Sequence, residues 1–124
     1  MDIEYFSQPN VLLIDGHEPK AVALLREQLA ELAQGRIGSF AVHKLPGFRS
    51  VEGSQLFAER DTWDSGVHPD PKPPVFRCRL TPLTWQNIEV LLEPLSEGGY
   101  FGSSHQLLDH HGEVQLIIAG GRGW

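Results

Sequence analysis

The chain has 124 residues, 40% of them hydrophobic and 21% charged, and a formal net charge of −6. That size suits one α+β domain over 1–124 with a core that needs no disulfide staple, and the composition excludes wholesale disorder. Acidity, with only three scattered lysines, speaks against nucleic acid as a partner, because phosphate contact relies on Lys and Arg.

The start, Met1-Asp2-Ile3-Glu4, has no basic segment followed by an apolar run, so no secretory leader is expected. No stretch approaches the roughly 20 apolar residues that cross a bilayer, so no membrane partner is expected. Cys78 is the single cysteine, which suits a reducing compartment. The expected location is cytoplasmic.

Ile3 to Phe6 reads as an edge strand, and the continuous apolar run Val11 to Ile14 as a buried one ending at Asp15-Gly16. A helix follows from Pro19, a residue suited to the first helical position, to a stop at Gly35. Val22, Leu25, Leu29 and Leu32 form its apolar stripe, widened by Ala21 and Ala33. Ile37 to Leu45 alternates as a strand does, with Phe40 and Val42 on one side and Ser39, Ala41 and His43 on the other. Gln55 to Arg60 is the next strand, with Leu56 and Ala58 facing away from Gln55, Phe57 and Glu59.

Asp61 to Pro74 holds Trp63 and four prolines, so it reads as a long irregular loop. Val75 to Leu80 alternates strongly: Phe76, Cys78 and Leu80 face the core, and Val75, Arg77 and Arg79 face the other way. Thr81-Pro82 opens a second helix with a hydroxyl cap and a first-turn proline. Its stripe is Trp85, Ile88, Leu92 and Leu95, and Pro94 should end or bend it near Glu93.

The segment His105 to Ala119 reads as a hairpin around Asp109-His110-His111-Gly112, a type I turn signature. Setting Asp109 opposite Glu113 places Leu107 opposite Gln115 and His105 opposite Ile117. Asp109 accepts backbone N–H bonds ahead of it, and His110 and His111 stand in solvent at the tip. His105 and Asp109 then share a face roughly 13 Å apart, at ~3.3 Å per residue. Zinc ligands sit about 2 Å from one point, so the hairpin alone cannot gather them. No metal site and no cofactor is expected.

The expected fold is a mostly antiparallel, or mixed, sheet of five to six strands with two helices on one face, in the order β-α-β-β-β-α-β-β. The uncovered sheet face is then the candidate surface for a ligand or partner. It gathers His43, Phe57, Glu59, Arg77, Arg79, His105 and Ile117, joined by the carboxyl-terminal Trp124, an indole offered to a partner or folded onto the sheet. Arg77 and Arg79 lie about 7 Å apart, at twice ~3.3 Å per residue, so two guanidiniums could grip a small anionic ligand. The plainer expectation is pairing with Glu59 across strands.

No catalytic residue is assigned. Cys78 faces the core, Ser104 and His105 point to opposite faces, and Gly120-Gly121-Arg122-Gly123 has no helix after it to bind phosphate. The expected function is a binding module for itself or another protein, with self-association into a homodimer or neutralisation of a partner in the manner of an immunity protein. The alternative is a small-molecule-binding protein or enzyme, with a polar pocket between the sheet face and the loop 61–74.

Overall fold

A computed structural model of the chain describes residues 1–99 and 105–121. Among them run β1 (Asp2–Phe6), β2 (Val11–Asp15), α1 (Pro19–Ala33), β3 (Ser39–Ala41), β4 (Arg49–Ser50), β5 (Gln55–Arg60), β6 (Gly66–Pro69), β7 (Val75–Leu80), α2 (Pro82–Leu91), α3 (Glu93–Ser96), β8 (His105–Asp109) and β9 (Gln115–Ala119). Short 3₁₀ turns occupy Val42–Lys44 and Val51–Gly53. None of the described helices is long and apolar enough to cross a membrane.

The α+β class holds, but the single sheet does not. The strands form a five-stranded sheet ordered β4-β1-β2-β9-β8 and a four-stranded sheet ordered β3-β5-β7-β6. Both are mixed. In the first, β1–β2 and β8–β9 pair antiparallel while β2–β9 and β1–β4 pair parallel. In the second, β5–β7 is parallel, flanked by antiparallel β3 and β6. The expected edge strand β1 is internal, because the two-residue β4 lies along its outer side.

The reason lies in β2 and β9. Leu12, Ile14, Leu116 and Ile118 join the main core, while Val11, Leu13, Ile117 and Ala119 form a second apolar cluster on the opposite face with Phe6 against it. Strands buried on both faces read as unbroken apolar runs, and such runs suit parallel pairing. The partner of β2 is therefore β9, far along the chain, and the strand after α1 goes to the other sheet.

Helix α1 begins at Pro19 as expected, and its end is closed by Gly35 in a left-handed conformation (φ +80°). The Gly35 N–H donates to the Leu32 carbonyl and the Arg36 N–H to that of Glu31, a Schellman closure. Leu25, Leu29 and Leu32 are buried, each stabilising the fold by about 1.5–3 kcal/mol. Thr81 caps α2 by accepting the Thr84 N–H, and the helix breaks at Leu92 before Pro94, where α3 takes over. Trp85, Ile88 and Leu92 meet Ile14 and Leu116 of the first sheet and Leu56 and Ala58 of the second around a small apolar void of about 20 Å³. The helices thus cover the inner faces of both sheets, not one face of one sheet.

The stretch 61–74 is not irregular throughout. Gly66–Pro69 adds β6 to the edge of β7, where Pro69 at the strand end disturbs little of the ladder. Strand β3 is shorter than expected, because the chain leaves the sheet at Val42 and turns through the 3₁₀ segment that carries His43.

Candidate functional site

On the second sheet, the solvent side of β5 and β7 carries what alternation assigned to it. Phe57 lies opposite Arg77, and Glu59 opposite Arg79. The Arg77 guanidinium stacks 4.7 Å from the centre of the Phe57 ring. Its Nη1 donates to Glu59 Oε2 at 2.8 Å and its Nε to Asp70 Oδ2 at 3.0 Å. Arg79 Nε donates to the other Glu59 oxygen, also at 2.8 Å. The two arginines are held by carboxylates of their own chain, as the plainer expectation had it. The hydrogen bonds to Glu59 and Asp70 push the Arg77 pKa further up.

His43 completes this cluster from the 3₁₀ turn rather than from a strand. Its ring meets the Phe57 edge at 5.1 Å and 78°. Nδ1 lies 3.1 Å from the Leu56 amide nitrogen and 3.2 Å from the Leu56 carbonyl oxygen. Nδ1 accepts from the first when the ring proton is on Nε2 and donates to the second when it is itself protonated. Burial favours the neutral form and lowers the pKa. Nε2 is buried with no hydrogen-bond partner among the described residues.

Beside this cluster lies an open hollow of about 390 Å³, walled by Gln55, Phe57, Asp70, Pro71, Lys72, Val75 and Arg77. It occupies the place expected for a pocket between the sheet and the loop 61–74, but it is a depression rather than an enclosed cavity.

His105 and Ile117 belong elsewhere. They lie on the outer face of the first sheet, so the seven-residue surface divides between two sheets. Ile117 is 5% exposed within the second apolar cluster, and β8 pairs His105 with Ala119 rather than Ile117. Trp124 falls outside the described residues.

The β8–β9 register differs from expectation by two residues, with a bulge between Leu107 and Asp109. A bulge interrupts alternation. It turns Asp109 to the Leu116 side, so Asp109 does not share a face with His105. The Asp109 side chain is 1% exposed. Its Oδ2 accepts the His111 backbone N–H, as the turn signature implied, and its Oδ1 holds His111 Nδ1 at 2.5 Å. His111 is exposed yet not merely solvated: the Asp109 hydrogen bond raises its pKa above 6.5. His110 stacks beside it, with ring centres 5.1 Å apart. Among the described residues no group of three or more His, Cys, Asp or Glu is placed to hold a metal.

The turn is pressed against β6. A Cβ on Gly66 would fall 2.2 Å from the Gly112 nitrogen and 2.5 Å from Asp109 Oδ2. Val114 bridges to Val67 just beyond, linking the two sheets.

A further surface was not singled out from the sequence. Trp63 is 76% exposed, Leu83 67% and Val90 57%. Leu83 and Val90 are seven residues apart on α2, so they share its solvent side about 10 Å apart at ~1.5 Å per residue. The loop carrying Trp63 is tied to the start of that helix. Asp64 Oδ1 accepts the Thr81 N–H and Oδ2 the Thr84 hydroxyl, both at 2.8 Å. On either side, Asp61 N–H donates to the Leu80 carbonyl and Ser65 N–H to the Arg79 carbonyl. Burial pulls the Asp64 pKa upward, but the Thr81 and Thr84 bonds and nearby His111 outweigh it and the net shift is down. Next to the loop an open hollow of about 490 Å³ is walled by Arg60, Asp61, Thr62, Thr81 and Pro82.

Comparison with known proteins finds no match for this chain among protein families, curated proteins or solved structures.

Proposed function

We propose that the protein is an interaction module that binds another protein chain through the surface formed by Trp63, Leu83 and Val90. The observation that carries this reading is the exposure of Trp63 on an anchored loop. An indole left in water is costly in apolar area, and here the chain on both sides of it is hydrogen-bonded in place. Exposed apolar groups gathered on one side of a fold mark contact surfaces, and Trp is the residue most enriched at their energetic centres. Two classes of partner fit: a second copy, as in a homodimer, or a different protein that this one neutralises. Light scattering over a range of concentrations, on the wild type and on Trp63→Ala with Leu83→Ser, tests the first. A dimer that is lost in the variant supports self-association, and a dimer that persists unchanged places its interface elsewhere.

The hollow beside Arg77 and Lys72 supports a second reading, a site for a small anionic ligand. Arg77 would then exchange Glu59 or Asp70 for the ligand. Inorganic phosphate titrated into wild type and into Arg77→Ala with Arg79→Ala tests it. Saturable binding that disappears in the variant supports the site, and equal weak binding to both removes it.

A further inference from the structure

We propose that His43 is a proton-operated latch on the edge of the second sheet: uncharged, its ring closes the Leu56 peptide, and on taking a second proton it swings into water while Val42 keeps its place in the core. A side chain here finishes a strand edge. β3 lies antiparallel to β5 with Ala41 opposite Phe57, so Val42 opposite Leu56 would be the next pair. The chain leaves the sheet at Val42 instead, and His43 Nδ1 lies 3.1 Å from the Leu56 amide nitrogen and 3.2 Å from its carbonyl oxygen. One nitrogen thus stands between a donor and an acceptor and can answer only one of them at a time. Nε2, across the ring, is buried with no partner among the described residues.

The proton count decides how well the ring fits. Each uncharged tautomer leaves one donor unanswered, the Nε2–H in one and the Leu56 N–H in the other. A charged ring carries both protons. Its Nδ1–H can donate to the Leu56 carbonyl, but the Leu56 N–H and the Nε2–H are then both unanswered, and the second belongs to a buried cation. The surroundings offer that charge no counterion. Burial opposes it most, and Lys44, next in the turn, opposes it too. β5 and β4 pack against the turn, and their charged groups are engaged elsewhere. Arg49 of β4 is paired with Asp2 and Glu18, and Glu59 of β5 with Arg77 and Arg79. Arg60, at the end of β5, has its guanidinium at Gly35. The way out is short, because His43 is half-buried and Lys44 exposed, whereas Val42 is only 3% exposed. Departure of the ring also removes a neighbour from Phe57, the ring on which Arg77 stacks, so the proton is felt across the sheet face.

NMR of the imidazole nitrogens and amide hydrogen exchange test the latch on the full chain, from about pH 7.5 down to about pH 4.5, a range that spans the ordinary histidine value. The expected result is a His43 that titrates below about 6.5. Through that titration the Leu56 amide loses about tenfold of its protection, corrected for the intrinsic pH dependence of exchange, which is the size of one lost hydrogen bond. The Phe57 ring protons and the Arg77 Nε–H shift with the same midpoint, and the amides of β7 stay protected. In His43→Asn, whose side-chain oxygen can accept the Leu56 N–H but takes no proton, these changes are absent. A Leu56 amide that stays protected while His43 takes its proton overturns the latch, as does the same loss of protection in His43→Asn. Loss of protection at Leu56 and throughout β7 together also overturns it, because the event is then unfolding of the whole chain. A His43 that titrates at or above about 6.5 overturns it by showing that the charge is accommodated where the ring stands. If His43→Asn does not fold, the wild-type titration decides alone.

Discussion

The solvent side of the second sheet and the solvent side of α2 carry different kinds of residue, and each departs from what its composition suggests. The sheet face has two arginines, two carboxylates, an aromatic ring and an imidazole, the usual ingredients of a ligand site. Yet its charged groups satisfy one another: Arg77 rests on Phe57 and is held by Glu59 and Asp70, and Arg79 shares Glu59, while His43 Nε2 has no partner among the described residues. The α2 side offers the plain apolar groups Trp63, Leu83 and Val90. Those residues are left exposed, although Asp64 fixes the Trp63 loop to the start of α2. The lesson is that a reactive-looking group already answered within the fold is weaker evidence of function than a plain apolar group left unanswered on a rigid support.

The comparison breaks first at its shared foundation. Gly66 opens β6 directly after the loop of Trp63, with φ +79° and no room for a side chain. Gly66→Ala combines the left-handed penalty with overpacking, so roughly 2–4 kcal/mol of stability should be lost. Urea denaturation measures this, and a loss below about 1 kcal/mol would show that the turn at Asp109–Gly112 does not press on β6 as described. Next comes the sheet face. Phe57→Ala removes the platform under Arg77 and the neighbour of His43, for an expected cost of about 1–2 kcal/mol. An unchanged midpoint would mean the array adds nothing to the fold.

The two histidines sharpen the contrast through pH. The His111 pKa is raised in the folded state by Asp109, so its stabilising effect is full below about 6.5 and fades as pH rises through the folded value. His43 runs the other way. Burial depresses its pKa, so its contribution is full above about 6.5 and is lost as pH falls toward the folded value. Melting curves between acid and mildly alkaline pH should therefore change shape in opposite senses in His111→Asn and His43→Asn. Two variants that track the wild type at every pH would contradict both assignments. A smaller effect belongs to the α2 side: Trp63→Ala with Leu83→Ser should leave stability within about 0.5 kcal/mol of wild type, the range of ordinary surface changes.

Much of the sheet array was legible because β5 and β7 keep a strict two-residue alternation, which fixed the facing of Phe57, Glu59, Arg77 and Arg79. The helices were legible from Pro19, Gly35, Thr81 and Pro82, residues whose backbone demands are local. The division into two sheets was not. Strands β2 and β9 bury both faces, so alternation carries no facing information there, and their parallel pairing joins residues about a hundred positions apart. The bulge at Leu108 escaped for a related reason: one added residue reverses Asp109 without altering the hydrophobic pattern. Strand β6 was hidden by Gly66 and Pro69 at its ends. The α2 surface had a usable signal. Leu83 and Val90 fall outside the stripe of Trp85, Ile88, Leu92 and Leu95, and Trp63 sits among Thr, Asp, Ser and Gly with no apolar neighbour.

One measurement bears most directly on which of the two surfaces meets a partner: light scattering over a range of concentrations on Trp63→Ala with Leu83→Ser and, side by side, on Phe57→Ala. A wild-type dimer that is lost in the first and kept in the second is the expected result. The reverse, a dimer that persists without Trp63 and Leu83 and is lost without Phe57, would contradict the account and return the binding role to the sheet.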